Sequence, residues 1–113
     1  MTTVTTVRSV SYSCLMETAE EPSLAAIRIE AVLAALDHPL RLRVVRTLAA
    51  RGEMTCQELL PDITKSTASH HWGVLRRSGL VAQRREGRYL HLTLRRDDLD
   101  HRFPGLLDAV VHG

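Results

Sequence analysis

The sequence predicts a mostly helical domain that carries a single β-hairpin, an α+β arrangement. Apolar residues recur at helical intervals over residues 24–36 and 39–50, whereas residues 88–94 alternate apolar with polar side chains, which is typical of a half-buried strand. A length of 113 residues fits one domain. We therefore assign residues 21–113 to the folded domain. We expect residues 1–20, which are rich in Thr, Ser and Val without periodicity, to form a flexible N-terminal arm.

Each helix boundary is predicted from residues that begin or end helices. The second helix begins at Pro39, because proline suits the first helical turn, and it ends at Gly52. A short third helix starts at Met54 or Thr55 and closes at Pro61.

The next stretch predicts a longer helix followed by the hairpin. Thr64 is a good N-cap, and the helix runs to Ser78 before Gly79 ends it. Gly87 supplies the positive φ of a tight hairpin turn, and a last helix covers Pro104–Val111. Two helices joined by a short turn and followed by a two-stranded ribbon describe a winged helix-turn-helix.

The basic residues are concentrated in one third of the chain. The formal net charge is only +2, but residues 65–96 contain eight lysines and arginines and one acidic residue. The segment spans the longer helix and the hairpin, and such a concentration favours binding to a polyanion such as DNA.

The helix after Thr64 has an apolar side and a polar side. At about 100° per residue, Ala68, Trp72 and Leu75 form the apolar stripe, and Gly73 lies opposite, where it would allow close approach to another surface. Hydroxyl and imidazole groups can contact bases, and arginines can contact phosphates. We predict these DNA-binding residues: Lys65, Ser66, Thr67, Ser69, His70, Arg76 and Arg77 on the helix, and Arg84, Arg85 and Arg88 on the hairpin.

The adjacent histidines of this helix fit recognition better than catalysis. His70 and His71 point about 100° apart on a helix, so they cannot share one metal ion. We expect His70 to face outward and His71 to be semi-buried and hydrogen-bonded. No acidic residue lies on this face to orient a catalytic imidazole. We therefore do not expect an enzyme.

Residues 32–94 resemble the ArsR/SmtB family of bacterial transcription regulators. Three motifs carry the resemblance: Pro39, Arg41 and Arg43 in the second helix, the Ser-Thr-x-Ser-x-His run beginning at Ser66, and the Arg-Glu-Gly-Arg hairpin tip. Trp72 departs from the leucine that the family generally has. The resemblance implies a homodimer whose interface is formed by the first and last helices, which here are the stretches Leu24–Leu36 and Phe103–Val111. It also implies binding to a pseudo-palindromic operator in double-stranded DNA.

The resemblance also raises the question of metal sensing. One family site uses cysteines on the third helix, where this chain has Thr55 and Gln57, so that site is missing. A second family site, on the last helix, is matched partially: Asp98 matches the family aspartate, Asp100 stands where its histidine belongs, and His101 is one place late. With His112, the candidate metal ligands are Asp98, Asp100, His101 and His112, and oxygen and nitrogen donors suit Ni²⁺ or Zn²⁺.

Several alternatives stay open at the level of the sequence. The regulator could be independent of metal or respond through a thiol, and the fold could instead serve as a protein–protein docking module. The two cysteines, Cys14 and Cys56, are far apart and form no Cys-x-x-Cys pair. No apolar run approaches the roughly 20 residues of a membrane helix, and the N-terminus lacks the apolar segment of a secretory signal. We expect a cytoplasmic protein without a membrane partner.

Overall fold

The computed structural model describes residues 21–113, so the predicted arm and Cys14 lie outside the described residues. The helices are α1 (Ile29–Leu36), α2 (Pro39–Arg51), α3 (Cys56–Leu59), α4 (Lys65–Ser78), α5 (Arg96–Arg102) and α6 (Leu106–His112). The strands are β1 (Met54–Thr55), β2 (Val81–Glu86) and β3 (Tyr89–Leu94). Over the range that the structure covers, no helix combines the length and apolar character needed to cross a membrane.

The segment before α1 is not helical throughout, so the prediction of one helix over residues 24–36 is wrong. A single 3₁₀ turn covers Leu24–Ala26, and Arg28 is extended, with φ −109° and ψ 136°. The extended backbone lets Ile27 reach the core, where it is 1% exposed. We call residues 21–28 the N-terminal strap.

Side-chain hydrogen bonds to backbone N–H groups cap the N-termini of α2 and α3. In α2, the His38 Nδ1 accepts a hydrogen bond from the Leu40 N–H at 3.1 Å, with Pro39 in the first turn. In α3, the Thr55 hydroxyl accepts from the Glu58 N–H, and the Glu58 carboxylate accepts from the Thr55 N–H at 2.9 Å. This capping box holds a helix of only four residues.

The predicted hairpin is confirmed, and it belongs to a three-stranded antiparallel sheet in the order β1-β3-β2. Val81 pairs with Leu94 at one end of the hairpin, and Glu86 pairs with Tyr89 next to the turn. The two residues of β1 add a third strand that the sequence did not predict, with Met54 opposite Leu92. We call the β2–β3 hairpin the wing.

The C-terminal part contains two helices where one was predicted. The prediction left residues 96–102 unassigned, yet they form α5, whose Leu99 is fully buried. Pro104 and Gly105 then separate α5 from α6, and Gly105 has a positive φ of 89°. The last helix therefore starts two residues later than expected.

One hydrophobic core joins the helices to the sheet. It takes Val44, Val45 and Leu48 from α2 and Trp72 and Leu75 from α4. The remaining members come from the strap, α1, α3 and the residue after it, α4, the residue before the wing, the wing itself, α5 and α6: Ile27, Val32, Ala35, Leu59, Leu60, Ala68, Leu80, Val81, Leu92, Leu99 and Leu107. The core thus fixes α4 and the wing relative to each other. The result is a winged helix fold.

Candidate nucleic-acid interface

Helix α4 has the boundaries that the sequence predicted. The Thr64 hydroxyl accepts a hydrogen bond from the Thr67 N–H at 3.4 Å, and it donates to the Thr67 hydroxyl at 2.9 Å. Gly79 ends the helix in the left-handed conformation, with φ 93° and ψ 2°. The apolar stripe of Ala68, Trp72 and Leu75 is buried, as predicted.

The polar side of α4 is exposed over its first half and at Arg77. Five of the seven residues that were predicted to bind DNA from this helix have exposed side chains, and Ser69 is intermediate; the five are Lys65, Ser66, Thr67, His70 and Arg77. We call these six residues the α4 face. Short polar groups and two cations therefore stand together on one surface.

The prediction that Arg76 lies on the exposed surface is wrong. Its side chain is 7% exposed, and its Nε donates to the Glu21 carboxylate at 2.9 Å. The same Glu21 oxygen accepts from the Gln83 N–H, also at 2.9 Å. The strap thus covers a second side of α4, and Arg76 joins strap, helix and wing instead of facing solvent.

Gly73 is buried, which corrects the expectation that it opens the helix to another surface. The Arg77 guanidinium lies over it: a Cβ added at Gly73 would stand 3.0 Å from the Arg77 Nη1. The glycine accommodates an arginine of its own helix. Arg77 nevertheless stays exposed at the surface.

His71 is hydrogen-bonded, as predicted, and it is more deeply buried than the semi-buried position that was expected. It is 4% exposed, its Nδ1 lies 3.1 Å from the Arg41 Nη1, and its ring centroid is 4.6 Å from that of His38. Because a guanidinium can only donate, the His71 Nδ1 must be the acceptor, and the ring is the neutral tautomer protonated at Nε2. Burial, followed by the neighbouring His38 and Arg41, lowers the His71 pKa.

The three predicted wing arginines have different surroundings. Arg84 donates to Glu53 at 3.1 Å and to Glu86 at 3.0 Å, and these hydrogen bonds raise its pKa. Arg85 is exposed, and its Nη1 donates to the Gly87 carbonyl at 3.4 Å. Arg88 is exposed on the far side of the turn. Because two carboxylates engage Arg84, the exposed Arg88 is better placed to meet a polyanion than Arg84 is.

The wing and the α4 face are neighbours in space. A single cavity of about 620 Å³ is bordered by Lys65 and Ser69 of α4 and by two wing residues, Arg88 in the turn and Tyr89 at the start of β3. The hairpin therefore extends the surface that begins on α4, and it does not lie on a remote side of the molecule.

Comparison with known proteins agrees with this arrangement. A family described as "Helix-turn-helix domain" matches residues 36–84. An uncharacterised HTH-type transcriptional regulator of Bacillus subtilis (strain 168), YceK, is 37% identical over 82 residues, which cover 70% of this chain and 82% of YceK. The chain belongs to the helix-turn-helix family of transcriptional regulators.

Solved structures of similar proteins share the fold of this regulator. The transcriptional repressor BigR from Xylella fastidiosa is 32% identical, with a TM-score of 0.59 over 74% of this chain and 83% of BigR. HlyU from Vibrio cholerae N16961 has a TM-score of 0.62 over 74% of this chain and 88% of HlyU. At 24% identity, HlyU is similar to this regulator in fold alone.

The candidate metal ligands do not meet within one chain of the regulator. Asp98 accepts from Arg95 at 2.8 Å, Asp100 lies 3.6 Å from Arg96, and His101 and His112 are exposed on separate helices. Among residues 21–113, no group of three or more His, Cys, Asp or Glu side chains could hold a metal ion. A site built from these residues would need two chains, so the metal site stays a prediction.

Two acidic residues of the interface were missed by the sequence analysis. Glu21 holds Arg76, and Glu53 holds Arg84 and lies 3.6 Å from the His91 Nδ1. Both carboxylates are remote in sequence from the arginines they pair with, so no local pattern signals these contacts. The Thr55-x-x-Glu58 capping box, by contrast, is a local signal that could have been found.

Proposed function

We propose that this chain is a sequence-specific DNA-binding transcriptional regulator that acts as a homodimer on a pseudo-palindromic operator. The observation that carries the proposal is the shared surface: Lys65 and Ser69 of the α4 face border one cavity with Arg88 and Tyr89 of the wing, and Arg77 and Arg85 are also exposed. In this arrangement α4 would enter the major groove, and the wing would reach the flanking phosphates or the minor groove. Such a regulator would act in the cytoplasm.

The residues divide by the kind of contact they would make. Ser66 and His70 carry short polar groups at the N-terminal half of α4, so they would contact base edges and set sequence preference. Arg77 is the penultimate residue of α4 and would contact a phosphate. Arg76 leaves the proposed set because Glu21 holds it inside the protein.

An exposed apolar pair supports the homodimer. Ile29 is 39% exposed and Leu33 is 50% exposed, and they lie one turn apart on α1. Val110 and Val111 on α6 are only half-buried. These are the two helices that the family resemblance implies for the interface, and a second copy would bury both surfaces.

The test begins with selection of a duplex from a random library, followed by fluorescence anisotropy with that duplex and with a scrambled one. If the four exposed cations each contact one phosphate, log K should fall with log salt with a slope of about −3 to −4 per chain. A docking module with an apolar surface would show almost no salt dependence. Failure to select any duplex would contradict the proposal.

Variants separate the two kinds of contact. Arg77→Gln should weaken binding to both duplexes by about tenfold, whereas His70→Ala should mainly reduce the preference for the selected one. Arg28→Gln is the matched control, because Arg28 is an exposed arginine outside the α4 face and the wing. Equal losses on both duplexes for every variant would contradict this division of roles.

We further propose a response to nickel or zinc between the two chains of the dimer. Support comes from the family resemblance and from the exposed imidazoles of His101 and His112. The arginine partners of Asp98 and Asp100 would have to move before those carboxylates could bind a metal. Calorimetric titration of the dimer with Ni²⁺ and Zn²⁺ tests the idea, and identical binding by the His101→Ala/His112→Ala variant would refute it.

The thiol-responsive alternative is weaker. Burial raises the pKa of Cys56 to about 12, so its thiolate is scarce near neutral pH. A regulator that depended on this cysteine would need to expose it first.

A further inference from the structure

The cavity between α4 and the wing has the size of a small-molecule site. It encloses about 620 Å³, within the roughly 300–1,000 Å³ that is usual for ligand pockets. Its walls come from the start of α3, the turn between α3 and α4, one side of α4 and the first residues of β3. We call this cavity the wing cleft.

The inner wall of the wing cleft is apolar. The partly buried Ile63 and Leu90 and the exposed Tyr89 contribute its apolar surface, whereas Leu60, Ala68 and Trp72 are almost completely buried and add little accessible area. An apolar group would gain contacts on this side of the cleft, whereas a polar group placed there would lose hydration without recovering hydrogen bonds.

The mouth of the wing cleft is cationic. Among residues 21–113, Lys65 and Arg88, both exposed, are the two charged side chains that line the cleft, and no carboxylate of this range lines it. Thr55, Gln57 and Ser69 add neutral polar groups. The cations at the mouth and the apolar surface inside the cleft therefore favour a ligand with an anionic group attached to an apolar part.

We propose that the wing cleft binds a small amphipathic carboxylate, with the apolar part against Ile63 and Leu90 and the carboxylate between Lys65 and Arg88. We further infer that this binding weakens binding to DNA, and this regulatory half of the inference rests on the proposed function. Because Lys65, Ser69 and Arg88 also belong to the surface that would meet DNA, a bound carboxylate would compete with phosphates for the same cations and lower the affinity for the operator.

The chain contains its own fluorescent reporter for binding of the carboxylate in the wing cleft. Trp72 is the single tryptophan of the sequence and lines the wing cleft, so its emission responds to an occupant. Phenylbutyrate is a suitable probe, and its neutral isostere phenylbutyramide tests the need for the charge. We expect a saturable change in Trp72 emission with phenylbutyrate and about tenfold weaker binding of the amide.

Variants test the assigned cations. Lys65→Gln/Arg88→Gln should weaken phenylbutyrate binding by about tenfold or more, whereas Arg85→Gln, on the same wing but outside the cleft lining, should leave it unchanged. All three substitutions are at exposed positions and leave the core intact. No saturable change with the unmodified chain, or equal binding of acid and amide, would overturn the proposal.

The competition is measured separately with the selected duplex. Phenylbutyrate should release it from the unmodified chain, and binding of the carboxylate without any loss of DNA affinity would overturn the regulatory half. Since the emission titration contains no DNA, it decides the occupancy of the wing cleft even if the chain binds no duplex. The two failures are therefore distinguishable.

Discussion

Gly79 lies where the end of α4 meets the N-terminal strap, and two separate features require a glycine there. Its φ of 93° is in the left-handed region, and an added Cβ would stand 2.8 Å from the Ile27 Cγ1 and 3.1 Å from its Cδ1. Ile27 is β-branched and 1% exposed, so it has little freedom to move aside. Gly79→Ala should therefore lower the free energy of unfolding in two ways, through backbone strain and through a steric clash.

Gly105 separates these two costs. Its backbone is nearly the same, with φ 89° and ψ −15° against φ 93° and ψ 2° at Gly79, but nothing lies within 4 Å of an added Cβ. Gly105→Ala should cost only the left-handed strain, about 1–2 kcal/mol. Gly79→Ala should cost the same amount plus about 1–3 kcal/mol for overpacking against Ile27.

The assay is urea unfolding at fixed protein concentration, because dimerisation would make stability depend on concentration. A double-mutant cycle isolates the clash: in an Ile27→Ala background, which lacks the contacting atoms, Gly79→Ala should cost no more than Gly105→Ala. If Gly79→Ala and Gly105→Ala were equally destabilising, the close packing of the strap on α4 would be refuted.

Three further predictions concern buried groups. Glu21→Gln should destabilise the domain by about 2 kcal/mol in urea unfolding, because it removes the charge that faces the buried Arg76. Glu30→Gln, which affects the exposed pair with Arg28, should have little effect. Similar losses for the two variants would contradict a buried ion pair between Glu21 and Arg76. The folded state holds the His71 pKa below the usual value of about 6.5, so the unfolded chain binds more protons and stability should fall as the pH drops below about 6.5. The His71→Gln variant should lose less stability over that pH range than the unmodified chain does. Identical pH profiles of thermal unfolding for the two proteins would contradict a lowered pKa of His71. In a Cys14→Ser background, Cys56 should react with a thiol reagent more than about 100-fold slower in the folded chain than in urea, because burial raises its pKa to about 12; equal rates would restore the thiol-responsive alternative.

The parts of the fold that the sequence predicted are those with strong local signals. Thr64 and Gly79 fixed both ends of α4, and Gly87 fixed the hairpin turn. Strand β1 escaped prediction because two residues show no alternation, and it forms only through pairing with β3. Helix α5 has a single buried apolar residue, Leu99, so it lacks a helical apolar period, although acidic residues in its first turn and basic ones in its last favour a helix.

The strap explains why the first helix was predicted too long. Helical spacing of apolar residues continues through Leu24 and Ile27, but Ile27 packs against Gly79 at the end of α4. Arg102 donates to the Leu24 carbonyl at 2.8 Å, and Arg95 donates to the Pro22 carbonyl at 2.7 Å. These contacts satisfy backbone groups that a helix would otherwise satisfy itself, so tertiary packing overrides the local period.

The neighbours Arg76 and Arg77 show the limit of a helical wheel for finding a binding surface. A wheel assumes one buried side, and on that assumption both arginines lie near the exposed side of α4. In the structure the strap covers a second side, so Glu21 pairs with Arg76 and only Arg77 reaches the surface. The position of an arginine on the wheel therefore predicts DNA contact only where no second segment packs on the helix.

Ion pairs within the chain also reduce the charge that the basic segment over residues 65–96 can offer to DNA. Four of its eight cations form ion pairs within the described part of the chain: Arg76, Arg84, Arg95 and Arg96. Arg95 and Arg96 pair with acidic residues of α5 and α6, so their charge stabilises the C-terminal helices. A count of basic residues thus overstates the charge offered to DNA. What favours DNA binding is the placement of Lys65, Arg77, Arg85 and Arg88 at the surface of two neighbouring elements that one core holds in place.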